Sequence, residues 1–91
     1  MNVETINSRV QAILSDIRSI RIKKGYSQGE CGAMMHISQN TFSKIESGSL
    51  DLTVERLMLI ANALDVDFFD LLTTQIKTQL FAVEGGLAQV G

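Results

Sequence analysis

"SQGECGAMMHISQNTFSKIESG", residues 27–48, is the stretch whose reading decides the fold. Ser27 stands three residues before Glu30, the spacing at which a helix-opening hydroxyl and a carboxylate cap each other's backbone N–H groups. Ser38 opens a second run in the same way. Between them His36 and Ile37 leave space only for a tight turn, and His36 stands where glycine would be easier. The stretch therefore predicts a short helix ending near Met35, a turn, and a helix from Ser38 to about Ser47 that Gly48 stops. Phe42 and Ile45 fall on the inner face of that second helix, while its start is polar.

The pattern continues outward in both directions. From Val3 to Lys24, Ile6, Val10, Ile13, Ile17 and Ile20 recur at three and four and predict one long helix, which Gly25 ends. Thr53 caps a fourth helix with an apolar face of Val54, Leu57, Met58, Ile60, Ala61 and Leu64. Asp67 caps a fifth that starts at Phe68 and continues to Phe81 or Val83. Gly85 and Gly86 mark a fraying tail over 84–91. The chain has no proline and no alternating run long enough for a strand. The expectation is all-α: five helices in one domain over residues 1–83.

Ninety-one residues, 45% apolar and 20% charged, suit one soluble domain and not a disordered chain. No apolar run approaches the ~20 residues of a membrane span. The N-terminus lacks the layout of a signal peptide, so the expected compartment is the cytoplasm. A lone Cys31 excludes an internal disulfide, and His36 with Cys31 supplies too few ligands for structural zinc; no metal and no cofactor are expected. There is no Gly-rich phosphate loop and no nucleophile at a telling distance from a base, so the chain does not read as an enzyme.

The formal net charge is −2, but it is unevenly placed. Residues 1–48 carry six basic groups (Arg9, Arg18, Arg21, Lys23, Lys24, Lys44) against four acidic ones (Glu4, Asp16, Glu30, Glu46). Residues 49–91 carry two (Arg56, Lys77) against six (Asp51, Glu55, Asp65, Asp67, Asp70, Glu84). Attraction to a polyanion follows the local field, so an acidic average does not exclude DNA.

Two short helices around a tight turn make a helix-turn-helix arrangement. Residues 15–72 resemble the Cro and lambda-repressor (XRE-type) family. The likeness is carried by Arg21 to Gly25, Ser27-Gln28, Ser38, Ile45-Glu46 with Gly48, and Leu57 to Leu64 followed by Val66. The resemblance implies a lambda-repressor-like DNA-binding domain, here with its first and last helices extended over 1–14 and 73–83.

The side chains at the start of the second motif helix suit the chemistry of that role. The amides of Gln39 and Asn40 match adenine N6 and N7, and Lys44 reaches guanine or a phosphate; with Ser43 they form the expected base-facing set, to which the resemblance also points. Gln28, Ser38, Thr41, Lys23, Lys24 and Ser49 are the expected phosphate contacts, with Arg18 and Arg56 as further sources of charge. The loop "SGSLDL" offers serines but also Asp51, which foretells few phosphate contacts per domain. The resemblance implies that Arg21 pairs with Glu46 to hold the reading helix. It also places His36, Cys31 and Gly32 where relatives usually carry glycine, leucine and alanine. Cys31 is expected to act as a small buried hydrophobe, and Gly32 to weaken its helix by ~1 kcal/mol relative to alanine.

The ends of the chain leave apolar surface to account for. Phe69, Leu72, Ile76, Leu80 and Val83 form a seam, and Ile76, Leu80, Phe81 and Val83 are the expected homodimer interface; the alternative is that the two ends pack on each other. The functional expectation is a regulator of phage-repressor type that binds double-stranded DNA as a dimer on a pseudo-palindromic site. The alternative is an antitoxin or other protein-interaction module on the same fold, gripping a toxin or regulator.

Overall fold

The computed structural model describes residues 1–73, and all the regular structure among them is helical. Helix α1 runs Val3–Lys23, α2 Gln28–Met34, α3 Gln39–Ser47 and α4 Val54–Leu64. A fifth, α5, starts at 68 and is helical to the last described residue. None of these helices is long and apolar enough to cross a membrane. The expected dimer residues Ile76, Leu80, Phe81 and Val83, with the tail 84–91, lie outside the described residues.

Each helix opens on a polar side chain that takes one of the N–H groups the first turn leaves unpaired. Asn2 accepts from the Thr5 N–H at 2.8 Å, Ser38 from Thr41 at 3.0 Å, Thr53 from Arg56 at 3.1 Å, and Asp67 from Asp70 at 3.1 Å. At α2 the cap is reciprocal: Glu30 donates its N–H to Ser27 Oγ at 3.0 Å and Ser27 donates its own to Glu30 Oε1 at 2.9 Å. The Ser27 N–H on the ionised carboxylate, with the Ser27 hydroxyl adding to it, holds the Glu30 pKa below its ordinary value.

Three helices close with the same left-handed turn. The Tyr26 N–H reaches the Arg21 carbonyl, Ile37 reaches Gly32, and Val66 reaches Ala61, at 2.9–3.0 Å. The residues at the bend are Gly25, His36 and Asp65, with φ of 82°, 59° and 55°. Histidine and aspartate are among the side chains that enter this region most readily.

The core draws on all five helices: Leu14 and Ile17 of α1, Cys31 of α2 with Met35 at its end, Phe42 and Ile45 of α3, Leu57, Ile60, Ala61 and Leu64 of α4, and Leu71 of α5. Burial pushes the Cys31 thiol up, which keeps it protonated among its apolar neighbours. The inward line of α1 is Leu14, Ile17 and Arg21, with Val10, Ile13 and Ile20 flanking it; Ile6 is exposed. In α4 the expected apolar face divides. Leu57, Ile60, Ala61 and Leu64 point in, whereas Val54 and Met58 stay exposed. In α5 Leu71 is buried and Phe68 half-buried, and Phe69 faces out.

Gly32 lies where the turn comes closest to α2. A Cβ at this position would stand 3.0 and 3.1 Å from the carbonyl oxygens of Ile37 and Ser38, tighter than ordinary contact. The turn folds directly over α2 here, so alanine's better helix propensity is opposed by backbone that would have to give by a few tenths of an ångström. The glycine that looked like a defect permits the close approach.

His36 makes the turn testable. His36→Val places a β-branched residue at φ 59° and should destabilise the domain by about 1–2 kcal/mol. His36→Gly should be no less stable than the parent. Thermal or urea unfolding of the two variants reads the difference.

Candidate nucleic-acid interface

The site is built on α3, and its orientation begins with residues that face away from it. Phe42 is buried, as are Ile45 and Glu46 one helical turn on. With about 3.6 residues per turn, that inward stripe sends Asn40, Lys44 and Ser47 to the opposite side, with Gln39 and Ser43 along one flank. Gln39, Asn40 and Lys44 are exposed and Ser43 is half-buried. Thus the structure brings the expected base-facing residues onto one side of the first turns of α3.

Glu46 is held from two helices. Arg21 at the end of α1 donates from Nε to Glu46 Oε2 at 2.8 Å and from Nη2 to Oε1 at 2.9 Å. Both residues are only 8% exposed. The third nitrogen, Nη1, donates to the Tyr26 carbonyl at 2.9 Å, which ties the α1–α2 loop to the same guanidinium. Hydrogen bonding to the carboxylate, set against the desolvation of a buried group, raises the Arg21 pKa above its already high ordinary value. Such a two-bond pairing fixes direction as well as distance, so the end of α3 cannot rotate about a single contact.

Gln28 joins this cluster. Its Nε2 donates to Glu46 Oε1 at 3.1 Å, and the side chain is half-buried. Expected at a phosphate, it is turned inward, so the carboxylate takes donors from both α1 and α2. Lys24 is also engaged away from α3. Its ammonium donates to the Leu64 carbonyl at 2.6 Å and the Asp65 carbonyl at 3.3 Å, where the exposed carbonyls and dipole of the α4 C-terminus favour a cation. Arg56 is drawn to the Asp51 carbonyl at 2.7 Å. Lys23, Lys44 and Arg18 are exposed.

The hydroxyls expected at phosphates have local partners. Ser38 donates to Thr41 Oγ1 at 2.9 Å besides capping α3, and the hydroxyls of Ser47 and Ser49 lie 3.0 Å apart. Two contacts were not legible in the sequence. The Gln11 amide of α1 overlies the end of α3 so closely that a Cβ on Gly48 would lie 2.5 Å from its nitrogen, and the Gln39 amide rests beside Gly29. Neither has a local signal, because each joins residues ten or more apart in the chain. No group of three His, Cys, Asp or Glu side chains among the described residues is placed to hold a metal.

The Arg21–Glu46 pair is open to a double-mutant cycle. Glu46→Gln or Arg21→Met alone leaves the other charge buried without its partner, and each should destabilise by about 3–5 kcal/mol. The double variant should lose clearly less than the sum of the two, and equilibrium unfolding measures the coupling.

Comparison with known proteins places this geometry in a family. The family described as "Helix-turn-helix" matches residues 17–71. The crystal structure of a tyrosine-to-alanine mutant of the restriction-modification controller protein C.Esp1396I superposes with a TM-score of 0.62 at 31% identity. The match covers 78% of this chain and 92% of that one. No curated protein matches. With a matching family over most of its length and the α2–turn–α3 geometry in place, this chain belongs to the XRE-type helix-turn-helix family of DNA-binding regulators.

Proposed function

We propose that this chain is a sequence-specific transcriptional regulator that reads a pseudo-palindromic operator as a homodimer in the cytoplasm. The observation that carries the reading is the start of α3. Gln39 and Asn40 are exposed there, on a helix whose far end is anchored by Arg21 and Gln28 through Glu46. Amide side chains on a fixed helix can meet the two-point pattern of adenine in the major groove, with Ser43 and Lys44 reading one turn along. Lys23, Ser38, Thr41 and Ser49 are the proposed phosphate contacts. Gln28 and Lys24, expected with them, have internal partners in Glu46 and the α4 C-terminus.

The homodimer is favoured by two features. Exposed cations near α3 are few, so one domain gains little from the backbone of the duplex. Phe69, the first residue of the seam that continues in sequence through Ile76, Leu80 and Val83, is 71% exposed, and Leu72 after it is 37% exposed. A second copy packed along that seam, with Phe81, would set two reading helices ~34 Å apart. The likeness to C.Esp1396I, by its title a restriction-modification controller, favours control of restriction and modification genes over a phage operon or a toxin partner.

Mobility shift against genomic fragments at low salt tests the proposal. Selective retention by the parent, lost with Gln39→Ala plus Asn40→Ala, is the expected result. Affinity should fall with salt at a slope of about −0.9 per phosphate neutralised. No retention at low salt would instead point to a protein-interaction module. Sedimentation showing a monomer well above micromolar concentration would reject the dimer.

A further inference from the structure

We propose that Gly29 is a positioning residue for base reading: its missing Cβ leaves a shelf on α2 that sets the angle of the Gln39 amide. The proposal deepens the reading above and rests on Gln39 reading a base.

Gln39 is the first residue of α3 and lies on the flank that faces α2. A Cβ built on Gly29 would stand 3.2 Å from Gln39 Oε1 and 3.7 Å from its Cδ, with Ser27 Oγ at 3.8 Å. The first distance is inside ordinary van der Waals contact, so a side chain at position 29 would press the amide outward by a few tenths of an ångström. Among the described residues nothing hydrogen-bonds that amide, and Gln28, beside Gly29 in the chain, is turned to Glu46. The Gln39 amide rests against the bare backbone of Gly29.

Direction matters because two-point pairing with a base edge requires both the oxygen and the nitrogen of the amide in the plane of the base. Alanine at position 29 moves the amide outward by a few tenths of an ångström. It leaves the helix intact, since alanine is the better helix former. The expected effect is thus on one base pair and not on the fold.

The experiment uses the full chain and a randomised duplex pool. Gln39→Ala first identifies the base pair whose preference depends on Gln39. Gly29→Ala should then reduce discrimination at that same pair by on the order of tenfold, leave the preference at the other pairs, and not lower the thermal midpoint. In the Gln39→Ala background the same substitution should have no further effect on affinity. Unaltered preference at the Gln39 pair, or an equal loss at every pair, overturns the role of Gly29 while base reading stands. If Gln39→Ala changes no base preference, the reading role of Gln39 fails and the positioning role fails with it.

Discussion

The Glu46 carboxylate is the point through which three helices are fixed relative to one another. It takes two bonds from Arg21 of α1 and one from Gln28 of α2, while itself standing at the end of α3. The Coulombic gain of such a pair is largely offset by the desolvation of both ions, so its net contribution to stability is small. Its consequence is directional. An apolar contact at position 46 would tolerate rotation of α3 about its own axis, and the planar guanidinium opposite a carboxylate does not. For a helix proposed to present amides to base edges, axial rotation is the error that matters, since about 10° moves a side-chain tip by about 1 Å, enough to lose a hydrogen bond.

A second constraint works at the opposite side of the motif. The α2–α3 turn closes over Gly32 with His36 in the left-handed region, and Ser38 follows at once as the next cap. Helix end, turn and helix start are thus compressed into adjacent residues, and the angle between α2 and α3 has little freedom. The turn sets the angle and the ion pair sets the rotation. Together they make the surface of α3 a property of the framework, and the exposed residues on it can vary without disturbing how it is held.

Elements whose physics is local were legible in the sequence. The caps Ser27, Ser38, Thr53 and Asp67 each act within three residues, and the glycine stops at 25 and 48 within one turn. The apolar pattern separated helix from strand, but it overstated burial at Ile6, Val54 and Met58. Hydrophobicity does not say how far the core extends beneath a helix. What the sequence left out is long-range polar pairing. Lys24 and the α4 carbonyls are 40 residues apart, and Gln28 and Glu46 are 18 apart. A lysine beside a polyanion and a lysine capping a helix have the same sequence signature. The partnership of Arg21 with Glu46, 25 residues apart, was likewise implied by family resemblance and not by any spacing rule.

The distribution of charge bears on how such a domain reaches its site. Of the cations counted in its favour, Arg21 is neutralised by Glu46, and Lys24 keeps its charge but is tied to the end of α4. Arg56 is turned to the Asp51 carbonyl. The exposed cations of the described residues are Arg9, Arg18, Lys23, Lys24 and Lys44, of which only Lys44 stands on α3 itself, and Asp51 is exposed in the loop that follows. Non-specific affinity scales with the number of phosphates neutralised, so a surface this sparse holds random DNA weakly. Base contacts do not depend on that count. On the proposed reading, a larger share of the binding free energy comes from the amides of α3, which makes their placement by Glu46 and the turn more consequential than in a strongly basic domain.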